Sequence, residues 1–145
     1  MKLAVGSDHG GFELKEAIKA RLIEAGYQVE DFGCYDTNSV DYPDIAQEVC
    51  RKVVDGTYET GLLFCGTGVG MSIAANKVKG VRAALLNNVF AARMAREHNN
   101  ANIITLGGRV TGVELAWEMV RTFFGAQFQG GRHQTRNDKI GSIEC

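Results

Sequence analysis

Excess charge is missing from this chain: 16 Lys and Arg against 17 Asp and Glu leave a net charge of −1 over 145 residues. No basic field recruits nucleic acid or an anionic membrane, so the expected partner is a small molecule or another protein. Long apolar runs are missing as well. No stretch approaches the ~20 residues of a membrane span, and residues 2–7, KLAVGS, are too short for a signal-peptide core and lead straight into charged sequence. A cytoplasmic location is the expectation. Cysteine is sparse: Cys34, Cys50, Cys65 and Cys145 show no C-x-x-C or Cys/His ligand spacing, which argues against a zinc site or a disulfide scaffold and for reduced thiols. Internal repeats and low-complexity segments are absent too. With 45% apolar residues, the chain fits one domain, 1–145, around one core.

What is present is an alternation of short apolar runs with helical patterns. Strands are expected at 3–6, 28–32, 61–64, 81–86 and 102–106. Between them the period changes to 3.6: Leu14, Ile18, Leu22 and Ala25 form one stripe, and Ile45, Val49, Cys50, Val53 and Val54 another. A third stripe uses Val113, Ala116, Trp117, Val120, Phe123 and Phe124. Gly26, Gly56 and Gly80 read as glycines just past helix ends, Pro43 suits a first helical position, and Thr111 with Glu114 spells a capping box. Strand and helix repeated at this spacing predict an α/β fold, a parallel sheet with helices on both faces.

Such a sheet gathers its functional groups in the loops after its strands. Those loops are Ser7–Gly11, Gly33–Tyr42, Cys65–Gly70, Asn87–Asn88 and Gly107–Arg109. The third is the most informative. In LLFCGTGVGMSIAAN, residues 62–76, a cysteine closes an apolar run and Gly66, Gly68 and Gly70 follow at alternate positions before a small-residue helix. A glycine-rich turn entering a helix points unpaired N–H groups outward, where phosphate or an enolate-like oxygen is welcome, and the same field favours thiolate over thiol. Cys65 can also be read as a small buried hydrophobe, and the glycines as room for close packing. A dinucleotide fingerprint would need G-x-G-x-x-G near the first strand and an acidic residue about 20 positions on. Here G-x-G-x-G follows the third strand.

Other polar features are weaker singly. Asp8 and His9 precede a helix, where the aspartate suits an N-cap. His98 and Asn99 close the fourth helix, where a histidine is a normal cap. Cys50 falls on an apolar helix face and reads as core, whereas Cys34 and Cys145 lie in a turn and at the terminus without evident partners. Beyond the Phe123–Phe124 stripe, Arg132, His133, Arg136 and Lys139 crowd into a glycine-bearing segment of low apolar content. Arg132 and Arg136 share a face if that segment is helical, and could close on one phosphate. A segment with so little to bury locally is expected to dock on a second subunit.

Taken together, SDHGGFELK at 7–15, DYPD at 41–44, CGTGVGMSIAANK at 65–77, REHNNAN at 96–102 and GGRHQTR at 130–136 closely resemble the type B ribose-5-phosphate isomerases. The resemblance spans nearly the whole chain. It implies a Rossmann-like three-layer α/β/α sandwich with a five-stranded parallel sheet, a C-terminal helical tail packed on the partner subunit, and a homodimer or dimer of dimers with active sites between subunits. It implies no cofactor and no metal. By the same resemblance Cys65 is the proton acceptor, Thr67 the hydroxyl serving the substrate oxygens, and His98 the acid that opens the furanose ring. Asp8, His9, Gly66, Thr67, Gly68, Val69, Gly70, Asn99, Arg109, Arg132 and Arg136 would bind the phosphosugar. Some members use a glutamate at the position of Met71 instead of the cysteine; methionine takes no proton, which leaves Cys65. Allose-6-phosphate and galactose-6-phosphate isomerases belong to the same family, so pentose and hexose substrates both stay open. A non-catalytic phosphosugar sensor or receiver-like module is the rival of another class. A receiver needs an aspartate after the third strand and a lysine after the fifth, where this chain has Cys65 and Arg109.

Overall fold

The computed structural model describes residues 1–144, and Cys145 lies outside the described residues. In chain order the elements are β1 (Lys2–Ser7), α1 (Phe12–Glu24), β2 (Gln28–Asp31), α2 (Tyr42–Val54), β3 (Thr60–Cys65), α3 (Val69–Ala75), β4 (Ala83–Leu85), α4 (Val89–Glu97), β5 (Ile103–Gly107), α5 (Val113–Gly125) and α6 (Arg132–Gly141). The strands form one five-stranded parallel sheet in the order β2-β1-β3-β5-β4.

Handedness then fixes the layers. Crossovers between parallel strands are right-handed, so the direction of each step decides which face its helix covers. The steps β1 to β2 and β4 to β5 run one way, and β2 to β3 and β3 to β4 run the other. Accordingly Leu14, Ile18 and Leu22 of α1 share a core with Ala92 and Ala95 of α4, joined by Met119 and Phe123 of α5. Ala46, Val49 and Cys50 of α2 share the opposite core with Met71 and Ala75 of α3. Side chains along β3 alternate between the two layers, Leu62 and Phe64 facing one and Leu63 and Cys65 the other. Cys50 is core, as its stripe implies, and burial pushes its thiol up to about 12.

Several local expectations need correction. Gly26 and Gly56 follow the ends of α1 and α2 in left-handed conformations (φ 97° and 87°). Gly80 (φ 89°) instead belongs to a turn in which Val81 N donates to the Val78 carbonyl, well past the Ala75 end of α3. Ala25 and Val54 are exposed rather than on the buried stripes. The capping box is not formed: Gly112 caps α5 without a side-chain bond, Thr111 is buried, and Glu114 pairs with Arg21 across the α1–α5 seam. β4 is shorter than its apolar run because the Arg82 and Ala83 amides donate to the Asn102 and Asn76 side chains.

The tail differs most. The α6 helix does not lack local anchorage. Its buried residues His133 and Asn137 pack against this chain's own α4 terminus, and the Glu144 carboxylate accepts the Gly80 amide at 3.0 Å. Arg132, Arg136, Lys139 and Ile140 remain exposed on its outer side. No helix among the described residues is long and apolar enough to cross a membrane.

Candidate active site

The sequence-expected site residues fall into two groups at opposite ends of the sheet. The first lies at the carboxyl edge, where the loops after β1, β3 and β5 lie backbone against backbone. Glycine makes that approach possible. A Cβ on Gly11 would sit 2.3 Å from the Phe64 carbonyl carbon, and one on Gly107 2.5 Å from the Thr67 carbonyl carbon. The loops are then stitched by amides: Asp8 N donates to Phe64 O (3.1 Å), Gly108 N to Cys65 O (2.8 Å) and Arg109 N to Gly66 O (2.9 Å).

Within this frame Cys65 ends β3, only 4% exposed, with its Sγ accepting the Gly68 amide at 3.1 Å. Gly68 itself is left-handed (φ 81°) and caps α3, and its carbonyl accepts the buried Thr105 hydroxyl at 3.0 Å. Thr67 is exposed at the loop tip with its Oγ1 accepting Val69 N at 3.2 Å. Gly66, Val69 and Gly70 complete the loop, and amides of the first turn of α3 lack helical partners. The Arg109 side chain lies over Gly66, leaving room for a Cβ there only at 3.2 Å from a guanidinium nitrogen.

Asp8 and His9 border the same region. Asp8 is buried, and Oδ1 accepts Gly11 N at 3.0 Å; Gly11, not Asp8, occupies the cap position of α1. His9 Nδ1 accepts Val40 N at 3.3 Å, which places the proton of the neutral ring on Nε2. An open cleft of about 550 Å³ is lined by Asp8, His9, Asp41 and Tyr42. Tyr42 was not among the expected site residues. Its ring closes on Gly70, where a Cβ would meet Cζ at 2.6 Å. The DYPD motif was the available signal, since it spans the junction between the loop after β2 and the start of α2.

The second group lies at the amino edge. His98 caps the C-terminus of α4, and Asn99 follows in a turn held by Arg82, whose Nε donates to the Asn99 carbonyl at 3.1 Å. Asn100 is left-handed (φ 44°), and its carbonyl accepts Arg82 Nη2 at 2.9 Å. The inner side of α6 meets His98: the His98 and His133 rings stack at 4.0 Å between centroids and 11° between planes, and Asn137 Nδ2 donates to the His98 carbonyl at 3.2 Å. Arg132 and Arg136 extend from the same helix. His98, Asn99, Arg132 and Arg136 therefore travel as one unit.

The two groups do not meet within one chain. Cys65 is level with Gly107 at one end of β5, whereas Gly61 is level with Ile103 at the other. That offset of four residues is about 13 Å at ~3.3 Å each, and His98 precedes Ile103 on the far side. Cys34, in the loop after β2, belongs to the frame: it is buried, its Sγ lies 3.7 Å from Ser7 Oγ and donates to Asp36 O at 3.2 Å.

A thiol and a hydroxyl on a glycine loop at the carboxyl edge of a parallel sheet, with an arginine pair at the other edge, fit the site of an α/β enzyme for a small anionic substrate. Comparison with known proteins narrows it: residues 3–140 match the family model described as Ribose/Galactose Isomerase, and the chain belongs to that family of isomerases. The chain is 46% identical over 143 residues to ribose-5-phosphate isomerase B of Escherichia coli (strain K12), covering 99% of this chain and 96% of that protein. It is 40% identical over 146 residues to D-erythrulose-4-phosphate isomerase of Pectobacterium atrosepticum, covering 99% and 95%. Among solved structures, ribose-5-phosphate isomerase B of Clostridium thermocellum superposes with a TM-score of 0.97 at 54% identity, covering 99% of this chain and 97% of that one.

Proposed function

We propose that this chain is a single-domain, cytoplasmic aldose–ketose isomerase that interconverts D-ribose 5-phosphate and D-ribulose 5-phosphate without a cofactor. The observation that carries the reading is the Cys65–Gly70 loop at the carboxyl edge of the sheet, in which Cys65 Sγ accepts the Gly68 amide, Thr67 is exposed two residues on, and amides of the first turn of α3 lack helical partners. Isomerisation moves a proton between C2 and C1 through a cis-enediolate, so one base must reach both carbons. Cys65, as thiolate, takes the C2 proton of the open-chain aldose and returns it to C1. The Thr67 hydroxyl, both donor and acceptor, passes the proton between O2 and O1, while the loop amides and Arg109 stabilise the charge that develops there. A positioned base contributes about 10²–10⁴ in rate and an oxyanion donor about 10²–10³.

His98 donates the proton that opens the furanose ring, and Asn99 orients the sugar hydroxyls with Asp8 and His9. Arg132 and Arg136 hold the phosphate, using remote binding energy to fix the chain in register. Because His98 and the arginines sit at the far end of the sheet from Cys65, this reading places them in the site of a partner subunit. An apolar surface supports such an assembly: Val69 and Ile73, one turn apart on α3, are 46% and 60% exposed, and Phe90 at the start of α4 is 66% exposed. The assembly is a homodimer, or a dimer of dimers.

A second reading keeps the chemistry and changes the sugar. The Pectobacterium relative is named for a four-carbon ketose phosphate, and an allose or galactose 6-phosphate requires the same proton transfer. The deciding experiment is turnover by the purified protein, without added metal, of ribose 5-phosphate beside erythrulose 4-phosphate and allose 6-phosphate. Highest kcat/KM on ribose 5-phosphate supports the proposal; highest on another sugar moves the assignment, and no turnover of any returns the protein to a sugar-phosphate sensor.

A further inference from the structure

The docking face of α6 is unusual in composition. A terminal helix ordinarily anchors itself with aliphatic side chains, yet the buried residues of α6 are a histidine and an asparagine one turn apart. Both are directed at one residue. His133 covers the face of the His98 ring, and Asn137 holds the His98 backbone carbonyl. Ring and backbone of the same residue are thus fixed from the same helix, which also carries Arg132 and Arg136.

We propose that His133 is a positioning residue for His98, its ring setting the plane in which the His98 imidazole presents a proton and tying that plane to the phosphate-holding helix. The inference rests on the reading of His98 as the ring-opening acid. Geometry favours a flat ring in this role. A parallel stack restricts rotation of its partner about χ2, a torsion that is otherwise broad for histidine. Burial, then His98 and the cations Arg132 and Arg136, hold the His133 imidazole below its usual value, so it covers His98 as a neutral ring. Phosphate capture by Arg132 and Arg136 then also fixes the orientation of His98, because one short helix links them.

The test compares His133→Leu, which removes the flat ring at similar volume, with His133→Phe, which keeps one. Misplacement of a catalytic group by about 1 Å can cost about 10²-fold, so His133→Leu should lose about 10-fold to 10²-fold in turnover of cyclic ribose 5-phosphate. The loss in kcat should be smaller from ribulose 5-phosphate, which has no furanose ring to open, with kcat/KM falling equally in the two directions as the fixed equilibrium constant requires. His133→Phe should recover most of the turnover. In a His98→Asn background, His133→Leu should add no further loss. Persistence of the full loss in that background, or equal impairment of the Phe and Leu variants, overturns the inference. The reading beneath it fails separately, on the His98→Asn variant alone, if that variant's kcat falls equally in both directions or in neither. Should His133→Leu not fold, proton NMR of the wild-type protein decides: the His98 ring protons should be shifted upfield by the stacked ring, retained so in His133→Phe, and an unshifted His98 overturns the inference.

Discussion

Thr105, fully buried in the middle of β5, donates its hydroxyl to the carbonyl of Gly68, whose own amide donates to Cys65 Sγ. A core threonine thereby reaches the candidate base through a single residue, Gly68. Gly68 O keeps a second partner in Ser72 N at 3.0 Å, so Thr105→Val should cost only about 1 kcal/mol in denaturant unfolding. Turnover should fall further than stability suggests, about 10-fold, because the amide that meets the sulfur is no longer held. Steady-state kinetics beside a urea melt checks both.

Cys65 should be chemically distinct from the other thiols. Burial holds the Cys50 thiol up at about 12, so it should resist iodoacetamide at neutral pH while Cys65 reacts and is protected by a sugar phosphate. Cys65→Ala should lose at least ~10² in turnover and still bind a phosphosugar analogue. Mass-mapped labelling with and without ligand, together with calorimetry on the variant, measures both. Equal labelling of Cys50 and Cys65, unaffected by ligand, counts against an activated loop thiol.

His98→Asn should slow turnover of the cyclic aldose more than the reverse reaction. The overall equilibrium constant is unchanged, so kcat/KM must fall by the same factor in both directions, and the asymmetry must be read from kcat at saturation and from ring-opening controls with an acyclic aldose analogue. An open-chain substrate should restore much of the lost rate.

Stability at low pH should turn on Asp31. Burial works to raise its carboxyl, but hydrogen bonds from Lys15 and Lys19 and from the Gly33 amide outweigh it and hold it below the usual carboxylate value. A carboxyl lower in the folded state than in the unfolded chain contributes stability above its unfolded pKa, and that stability is lost as pH falls through the folded value. Lys15 is fully buried and also donates to the Cys34 carbonyl. Asp31→Asn should therefore cost about 3 kcal/mol at neutral pH, since the buried Lys15 ammonium loses its near carboxylate and keeps only neutral oxygens and the more exposed Glu16 carboxylate 3.6 Å away. The variant's stability should also vary less than the wild type's across the acid range, as read by thermal melts from neutral pH downward.

The fold was legible where burial alone decides local structure. β3 is buried on both sides and reads as an uninterrupted apolar run, and the stripes on α1 and α2 followed their periods except at the last positions, Ala25 and Val54, which overhang the core. Glycines were read as marking the loops of the carboxyl edge but incompletely as to cause. Gly11 and Gly107 are there so that neighbouring loop backbones can touch, a tertiary demand that no local window displays. The placement of these residues at two ends of the sheet was equally hidden, because REHNNAN and CGTGVG carry no sign of which edge they occupy until the strand order is known. His133 was visible only as part of a basic run. Its pairing with Asn137 one turn on, an inward polar face in a helix otherwise exposed, was the signal available.

The central claim, that Cys65 of one subunit works with His98, Arg132 and Arg136 of another, is tested most directly by mixing subunits with single lesions. Cys65→Ala combined with Arg132→Ala, or with His98→Asn, should yield heterodimers with one intact site and one doubly damaged site, so activity reappears from two nearly dead proteins. His98→Asn combined with Arg132→Ala should yield none, because the two lesions lie on the same half of the site and each heterodimer carries one in each site. Recovery in the first two mixtures and silence in the third, with heterodimers confirmed by mass, is the predicted result. Silence in the first two mixtures would contradict the shared site, and recovery in the third would contradict the unit that α6 forms with His98.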